Sequence, residues 1–201
     1  SMVLVSANAL SEEVERNVSS YNVSLVLFKA QHEDARQTEQ VKASIHYRFS
    51  IYHALNVHFV NSPSLIVMEA GVVTAPDFFG YFAQLEHLLL SDSGLWCVSA
   101  WNGYALSPYV ADPSALLRTD VFPGLAFMLP GQLFRTEILG KWPRRSGSEY
   151  LRSRTLRGGR QCVIPEIPRI QRGAVEENDY FHPGPLHDAL DLGDVARLTT
   201  E

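Results

Sequence analysis

Cysteine and long apolar runs are the two features that this sequence has least of. Its 201 residues include only Cys97 and Cys162, and neither lies at the spacing of a zinc site. No apolar stretch approaches the roughly 20 residues that cross a bilayer, and no charged-then-apolar leader opens the chain. These absences exclude a disulfide-rich scaffold, and they predict no membrane contact for this segment.

Positive charge is also scarce. The formal net charge is -5, with 17 Lys and Arg against 22 Asp and Glu, which argues against a general nucleic-acid binder. The basic residues are placed unevenly, because nine of the 17 lie between Lys141 and Arg172. This cluster is either a solvated basic face or a site for an anionic ligand.

The chain does contain enough apolar material for a core. Hydrophobic residues make up 46% of it and charged residues 19%. A chain of this size can bury one core, so we expect a single domain over residues 1–172. Pro, Gly and Asp become frequent after Pro165, and we expect residues 173–201 to form an irregular C-terminal segment.

Short β-branched runs alternate with segments of helical periodicity. Strand patterns cover 2–7, 23–30, 65–69, 95–101 and 125–129. Helical patterns cover 11–20, 41–55, 77–90, 131–139 and 147–157. The alternation predicts an α/β fold, with right-handed crossovers, a mostly parallel sheet and helices on both faces. Ligands of such sheets bind beyond the carboxyl ends of the strands, which makes Glu69 a candidate site residue.

Two Asn-x-Ser sequons begin at Asn17 and Asn22. Such sequons are acceptors for N-glycosylation, so they favour the secretory pathway. In that compartment a bridge between the two cysteines would persist, whereas elsewhere they would be buried free thiols.

Seven stretches between about Lys42 and Arg169 carry a more specific signal: "HYRFSI", "APDFFGYF", "LWCVSAWN", "LLRTDVFPGLAF", "LGKWP", "EYLRSR" and "GRQCVIPEIPR". In this order they resemble the N-acetylglucosaminyltransferase I family, which includes the protein O-mannose β-1,2-N-acetylglucosaminyltransferases. The resemblance implies a Rossmann-like GT-A fold, inverting transfer from UDP-GlcNAc to a glycan or glycoprotein acceptor, and a place in the Golgi lumen. It also implies a disulfide between Cys97 and Cys162.

The first departure from the family concerns the metal site. In the family, the strand that matches Leu65 to Glu69 ends in Glu-Asp-Asp, and the last Asp binds Mn²⁺ between the donor phosphates. Here the three places read Glu69, Ala70 and Gly71. The resemblance therefore implies that the family's metal ligand is missing, and we expect no metal cofactor. Glu69 then either faces the sugar or caps the next turn.

The second departure concerns the general base. The family's aromatic-Asp-Asp-aromatic stretch matches Gly147 to Tyr150, so the base would fall on Ser148 or Glu149. Of these two, only Glu149 could abstract a proton from an acceptor hydroxyl.

Five further residues are candidate donor contacts. The resemblance places His46 at a uridine or phosphate contact, although a histidine in a helix is also a common packing residue. Asn102 follows the matched "SAW". Arg144, Arg145 and Arg152 could supply fixed positive charge in place of the missing cation.

Two functions remain open. One is a catalytically degenerate GT-A domain that is kept as a binding or scaffold module for a protein partner. The other is an active, metal-independent inverting transferase with Glu149 as base. We favour the degenerate domain, because losses at two separate catalytic places are harder to offset than one.

Overall fold

The computed structural model describes residues 2–6, 11–21, 23–28, 38–105, 111–143 and 147–172. The chain divides into two compact units, the first formed by Ser1–Ser62 with Arg135–Tyr150 and the second by Pro63–Phe134 with Leu151–Glu201. The expected single domain over 1–172 stays a prediction. The expected irregular segment, 173–201, lies outside the described residues. No helix in the described ranges combines the length and apolar character that a bilayer span requires.

The first unit opens with a β-α-β arrangement. Strand β1 (Met2–Ser6) and strand β2 (Val23–Leu27) pair in parallel, and helix α1 (Glu12–Ser20) connects them. The carbonyl of Ser11 accepts the N–H of Glu15 at 3.0 Å, so α1 begins at the start of the predicted helical segment 11–20. This parallel crossover is confirmed.

Helix α2 (Glu39–His53) follows in the same unit and ends in a π-helical turn, Ala54–His58. Later in the chain, helix α4 (Gly131–Leu133) leads into a second π-helical turn, Phe134–Ile138, and a 3₁₀ turn, Leu139–Lys141. Helix α5 (Gly147–Arg152) comes next.

The second unit contains a five-stranded sheet. Its strands in spatial order are β3 (Ser64–Met68), β7 (Ala126–Pro130), β5 (Leu95–Ser99), β8 (Gln161–Pro165) and β6 (Leu116–Thr119). Strands β5 and β8 are parallel, and the other three neighbouring pairs are antiparallel. The α/β class is confirmed. The five-stranded sheet is mixed rather than mostly parallel, because β7 and β6 run against the other three strands.

Four strands of this unit have no counterpart in the sequence patterns. They are β6, β8 and a separate antiparallel pair formed by β4 (Val72–Thr74) and β9 (Ile170–Arg172). Three of these strands have only three or four residues, which is too short to show a periodicity, and three of the four residues of β6 are exposed. Strand β8 has five residues, of which four are buried in succession, so it shows no alternation either.

Helix α3 (Phe78–Ser91) and the short helix α6 (Arg154–Arg157) complete the unit. The core forms where α3 meets the sheet. Phe78, Phe82 and Leu89 are buried there with strand residues such as Val98 and Met128. The rings of Phe78 and Phe82 meet edge to face, 5.1 Å apart.

Cys97 and Cys162 form a disulfide, as the family resemblance implies. They lie opposite each other on the parallel strands β5 and β8, with Cα atoms 4.7 Å apart, and both are buried. The bond joins residues 65 positions apart in the sequence, so it closes a long loop in the unfolded chain.

Arg169 is a buried cation at the carboxyl edge of the sheet, with 5% of its surface exposed. Its guanidinium donates to Asp77 Oδ2 at 2.7 Å and to the carbonyls of Ile167 and Pro113. Its Cζ also lies 5.6 Å from the centre of the Tyr81 ring. Burial raises the pKa of Tyr81, and the Arg169 charge partly offsets this shift. One side chain therefore links the start of α3 to two loops.

Removing the disulfide should lower the free energy of unfolding by about 2–4 kcal/mol, because the unfolded chain regains the entropy of the closed loop. We expect Cys97→Ala with Cys162→Ala to melt roughly 4–16 °C below the wild-type protein in calorimetry. Wild-type protein treated with a reductant should show a similar shift. A melting temperature that reductant leaves unchanged would contradict this.

Arg169→Lys should lower the free energy of unfolding by roughly 2–4 kcal/mol, because an ammonium group cannot satisfy three separated acceptors in a buried place. The matched control is Arg118→Lys, which alters an exposed ion pair with Asp92 and should change stability by less than about 0.5 kcal/mol. Urea denaturation measures the free energy of unfolding of both variants. Equal losses in the two variants would show that the buried contacts of Arg169 do not stabilise the fold more than an exposed ion pair does.

Candidate functional site

The carboxyl edge of the five-stranded sheet brings two of the candidate residues to the same side. Met68 of β3 lies opposite Ala126 of β7, and the N–H of Ala100 donates to the carbonyl of Ala126 at 2.9 Å. Strands β3 and β5 therefore end level with each other on either side of β7. Glu69 and Asn102 follow these two ends, with β3 ending at Met68, one residue before the predicted strand end. The role of Glu69 as a site residue stays a prediction.

The turn after β3 is formed by Glu69, Ala70 and Gly71. The N–H of Glu69 donates to the carbonyl of Leu125 at 2.8 Å, which extends the pairing of β3 with β7 by one residue. Gly71 has a φ of 78°, in the left-handed region that glycine adopts most readily. Ala70 and Gly71 are exposed, and neither carries a side-chain oxygen.

Asn102 is buried and hydrogen-bonded to backbone. Its Nδ2 donates to the carbonyls of Pro165 and Glu166 at 3.0 and 3.1 Å, and its Oδ1 accepts the N–H of Tyr104 at 3.0 Å. Both amide protons are thus used to hold the end of β8 beside the end of β5. The role of Asn102 as a donor contact stays a prediction, and its structural role is the one these contacts describe.

His46 lies on α2 in the first unit. Its ring centre is 5.4 Å from that of Phe28, and the ring has a hydrogen bond to the backbone of Val5. Burial lowers the pKa of His46, and the Val5 bond partly offsets that shift. Within the described residues, its buried Nε2 has no hydrogen-bond partner. His46 is therefore packed in the first unit as a neutral imidazole, and one of its ring nitrogens has no hydrogen-bond partner among the described residues.

The segment that matches the family's general base begins α5. A Cβ on Gly147 would lie 2.7 Å from Cζ2 of Trp142 and 2.9 Å from Oγ of Ser44, so only glycine fits there. Trp142 Nε1 donates to Ser44 Oγ at 3.1 Å, which fixes this contact. Glu149 is exposed in the first turn of the helix. This packing leaves the Glu149 carboxylate exposed to solvent, and its role as a base stays a prediction. The side chain of Ser148 lies outside the described part.

Of the three candidate arginines, only Arg152 lies within the described residues. Arg152 is exposed at the end of α5. Arg144 and Arg145 lie outside the described residues, as do Asn22 and the side chain of Asn17. Glu69, Asn102 and Arg152 belong to the second unit, and His46 and Glu149 belong to the first.

Sequence reasoning missed Arg169 as the residue that supports this edge. Besides its side-chain contacts, its N–H donates to the carbonyl of Ala100 at 2.8 Å, and its carbonyl accepts the N–H of Ala75 at 2.9 Å. The available signal was its place at the end of the matched stretch "GRQCVIPEIPR".

The stability of the protein should depend on pH through His46. Because its folded pKa is lowered, the contribution of neutral His46 is present above about pH 6.5 and is lost as the pH falls below that value. We expect urea denaturation between pH 7.5 and 5.5 to show a falling free energy of unfolding, by at most about 1.4 kcal/mol per pH unit from this group. His46→Gln should reduce that slope, whereas His87→Gln, at an exposed position, should retain it. Equal slopes in wild type and His46→Gln would contradict the assignment.

Two comparisons relate the chain to known proteins. The family model described as GNT-I family matches residues 2–177. The alpha-1,3-mannosyl-glycoprotein 2-beta-N-acetylglucosaminyltransferase of Arabidopsis thaliana is 33% identical over 132 residues, which are 66% of this chain and 29% of that protein. The chain thus spans less than a third of the length of this relative. The match over most of its residues confirms the resemblance, and the chain belongs to the GNT-I family.

Proposed function

We propose that this chain is a glycosyltransferase-like domain of the GNT-I family that lacks Mn²⁺-dependent transfer of GlcNAc and acts as a folded binding module. The observation that carries the proposal is the turn after β3, where residues 69–71 offer one carboxylate. The ligand class we assign is a nucleotide sugar, UDP-GlcNAc, and the second ligand is a glycan or glycoprotein.

Charge is the physical reason why this turn matters. Breaking a sugar-diphosphate bond leaves negative charge on UDP, which a divalent cation or fixed positive groups must neutralise. Hard divalent cations are held by oxygen ligands, and Ala70 and Gly71 have none in their side chains. Among the described residues, no group of three or more His, Cys, Asp or Glu side chains could hold a metal ion, so no such cluster replaces the family's Mn²⁺ ligand. The residues at this turn therefore do not fit the family's Mn²⁺.

The base segment also departs from the family. The contacts of Gly147 with Trp142 and Ser44 leave no room for the aromatic side chain that the family has at the start of this window. Glu149 is the acidic residue of the matched window, at an exposed position in the first turn of α5. A metal-independent transferase with Glu149 as base is the alternative that the experiment below must distinguish.

The compartment we propose is the secretory pathway, specifically the Golgi lumen. The disulfide between Cys97 and Cys162 supports this, because such bonds persist in oxidising compartments. We also propose a protein partner, since a domain without transfer activity would act through binding.

Calorimetric titration with UDP-GlcNAc, with and without Mn²⁺, tests the proposal. We expect Mn²⁺ to leave the affinity of the wild-type protein unchanged. Ala70→Asp with Gly71→Asp should make binding depend on Mn²⁺, by about tenfold or more, because it restores two carboxylates. Ala70→Asn with Gly71→Asn is the matched control, since asparagine has a similar shape and also tolerates the left-handed conformation of residue 71.

The results of this titration distinguish a binding module from an active transferase. Mn²⁺-dependent binding by the wild-type protein would overturn the proposal. Release or transfer of GlcNAc without metal, lost in Glu149→Gln, would establish the active alternative. A Mn²⁺ effect in the Asn variant would show that charge at residues 70 and 71 is not the determinant.

A further inference from the structure

The π-helical turn at the end of α2 places two histidines side by side. The ring centres of His53 and His58 are 5.1 Å apart, with an angle of 44° between the ring planes. His53 is partly buried and His58 is exposed. Neither residue belongs to the candidate sugar-nucleotide site.

The spacing of five residues follows from the helix geometry. The N–H of Phe59 donates to the carbonyl of Ala54 at 2.7 Å, which is an i to i+5 bond. An ordinary α-helix brings residues three and four apart onto one face, whereas this wider turn brings residues five apart together. The π turn is therefore what makes the two imidazoles neighbours.

Other side chains hold this turn in place. Arg135 Nη2 donates to the carbonyl of Leu55 at 2.7 Å and to that of Val60 at 3.1 Å. Asn56 Nδ2 donates to the carbonyl of Tyr52 at 2.9 Å. These bonds satisfy carbonyls around an irregular helix end. Single π turns are rare and frequently occur at functional sites.

One ring nitrogen of the histidine pair is buried without a hydrogen-bond partner among the described residues. His53 Nδ1 is buried and, within the described ranges, has no hydrogen-bond partner. An unsatisfied buried nitrogen requires an explanation such as a bound water or ion. The ring of Phe49 also lies beside His53, with ring centres 5.3 Å apart, so the imidazole contacts both Phe49 and His58.

We propose that His53 and His58 form a binding site for a divalent transition-metal ion of the class that imidazole prefers, which includes Zn²⁺, Cu²⁺ and Ni²⁺. With metal-nitrogen bonds of about 2.0–2.1 Å and a tetrahedral angle, two imidazoles on one ion have ring centres about 5 Å apart. The observed 5.1 Å agrees with that separation. Water completes the coordination, and His58 is exposed enough to admit the ion.

This site is chemically distinct from the family's Mn²⁺ site, because Mn²⁺ prefers oxygen ligands and this site offers nitrogen. The inference does not depend on the proposed function. If an experiment contradicts either the histidine site or the proposed function, the other is unaffected.

Titration of the full chain with ZnCl₂ tests the site. We expect His58→Ala, a change at an exposed position that keeps the fold, to weaken Zn²⁺ binding by about tenfold or more, since even residues that only support a ligand cost that much. His53→Ala with His58→Ala should abolish the site. Electron paramagnetic resonance with Cu²⁺ should show two coordinated nitrogens in the wild-type protein and fewer in each variant.

His182 and His187 provide the matched control, because they are also five residues apart in the sequence. The double variant His182→Ala with His187→Ala should keep the Zn²⁺ affinity and the two-nitrogen signal. Equal affinity in wild type and His58→Ala would overturn the proposal, and so would loss of binding in the control variant. The pair would then be an aromatic surface contact only.

Discussion

The carboxyl edge of the five-stranded sheet depends on one buried guanidinium. Arg169 reaches Asp77 at the start of α3 and the carbonyls of Ile167 and Pro113, and its own backbone bonds to Ala100 and Ala75. A buried charge is tolerated only where its donors are satisfied, so these segments must meet at fixed positions. The end of β5 and the segment that leads into α3 are held together as a consequence.

The contacts that hold the strand ends of this edge together come from residues other than those in the turn after β3. Asn102 and the disulfide both contribute to holding this edge, because their contacts join β5 to β8. Ala70 and Gly71, which follow β3, carry no polar side chain. The packing of this edge therefore does not require carboxylates at these two positions.

An arginine also supports the first unit. Arg135 satisfies the carbonyls of Leu55 and Val60 at the irregular end of α2, much as Arg169 satisfies carbonyls at the sheet edge. The cost of an irregular backbone is the loss of regular hydrogen bonds, and a guanidinium with five donors can replace several of them. The histidine pair owes its geometry to this support.

The sequence by itself determined the α/β class, the strands with clear apolar runs, the helices with 3.6-residue periodicity and the resemblance to the GNT-I family. Residues of one strand or helix are close in the chain, so their pattern records their structure directly. Tertiary structure alone decided the antiparallel insertion of β7, the short pair β4 and β9, the burial of Arg169 and the meeting of His53 with His58. These depend on contacts between distant residues or on one short π-helical turn, and neither leaves a periodic signal in the sequence.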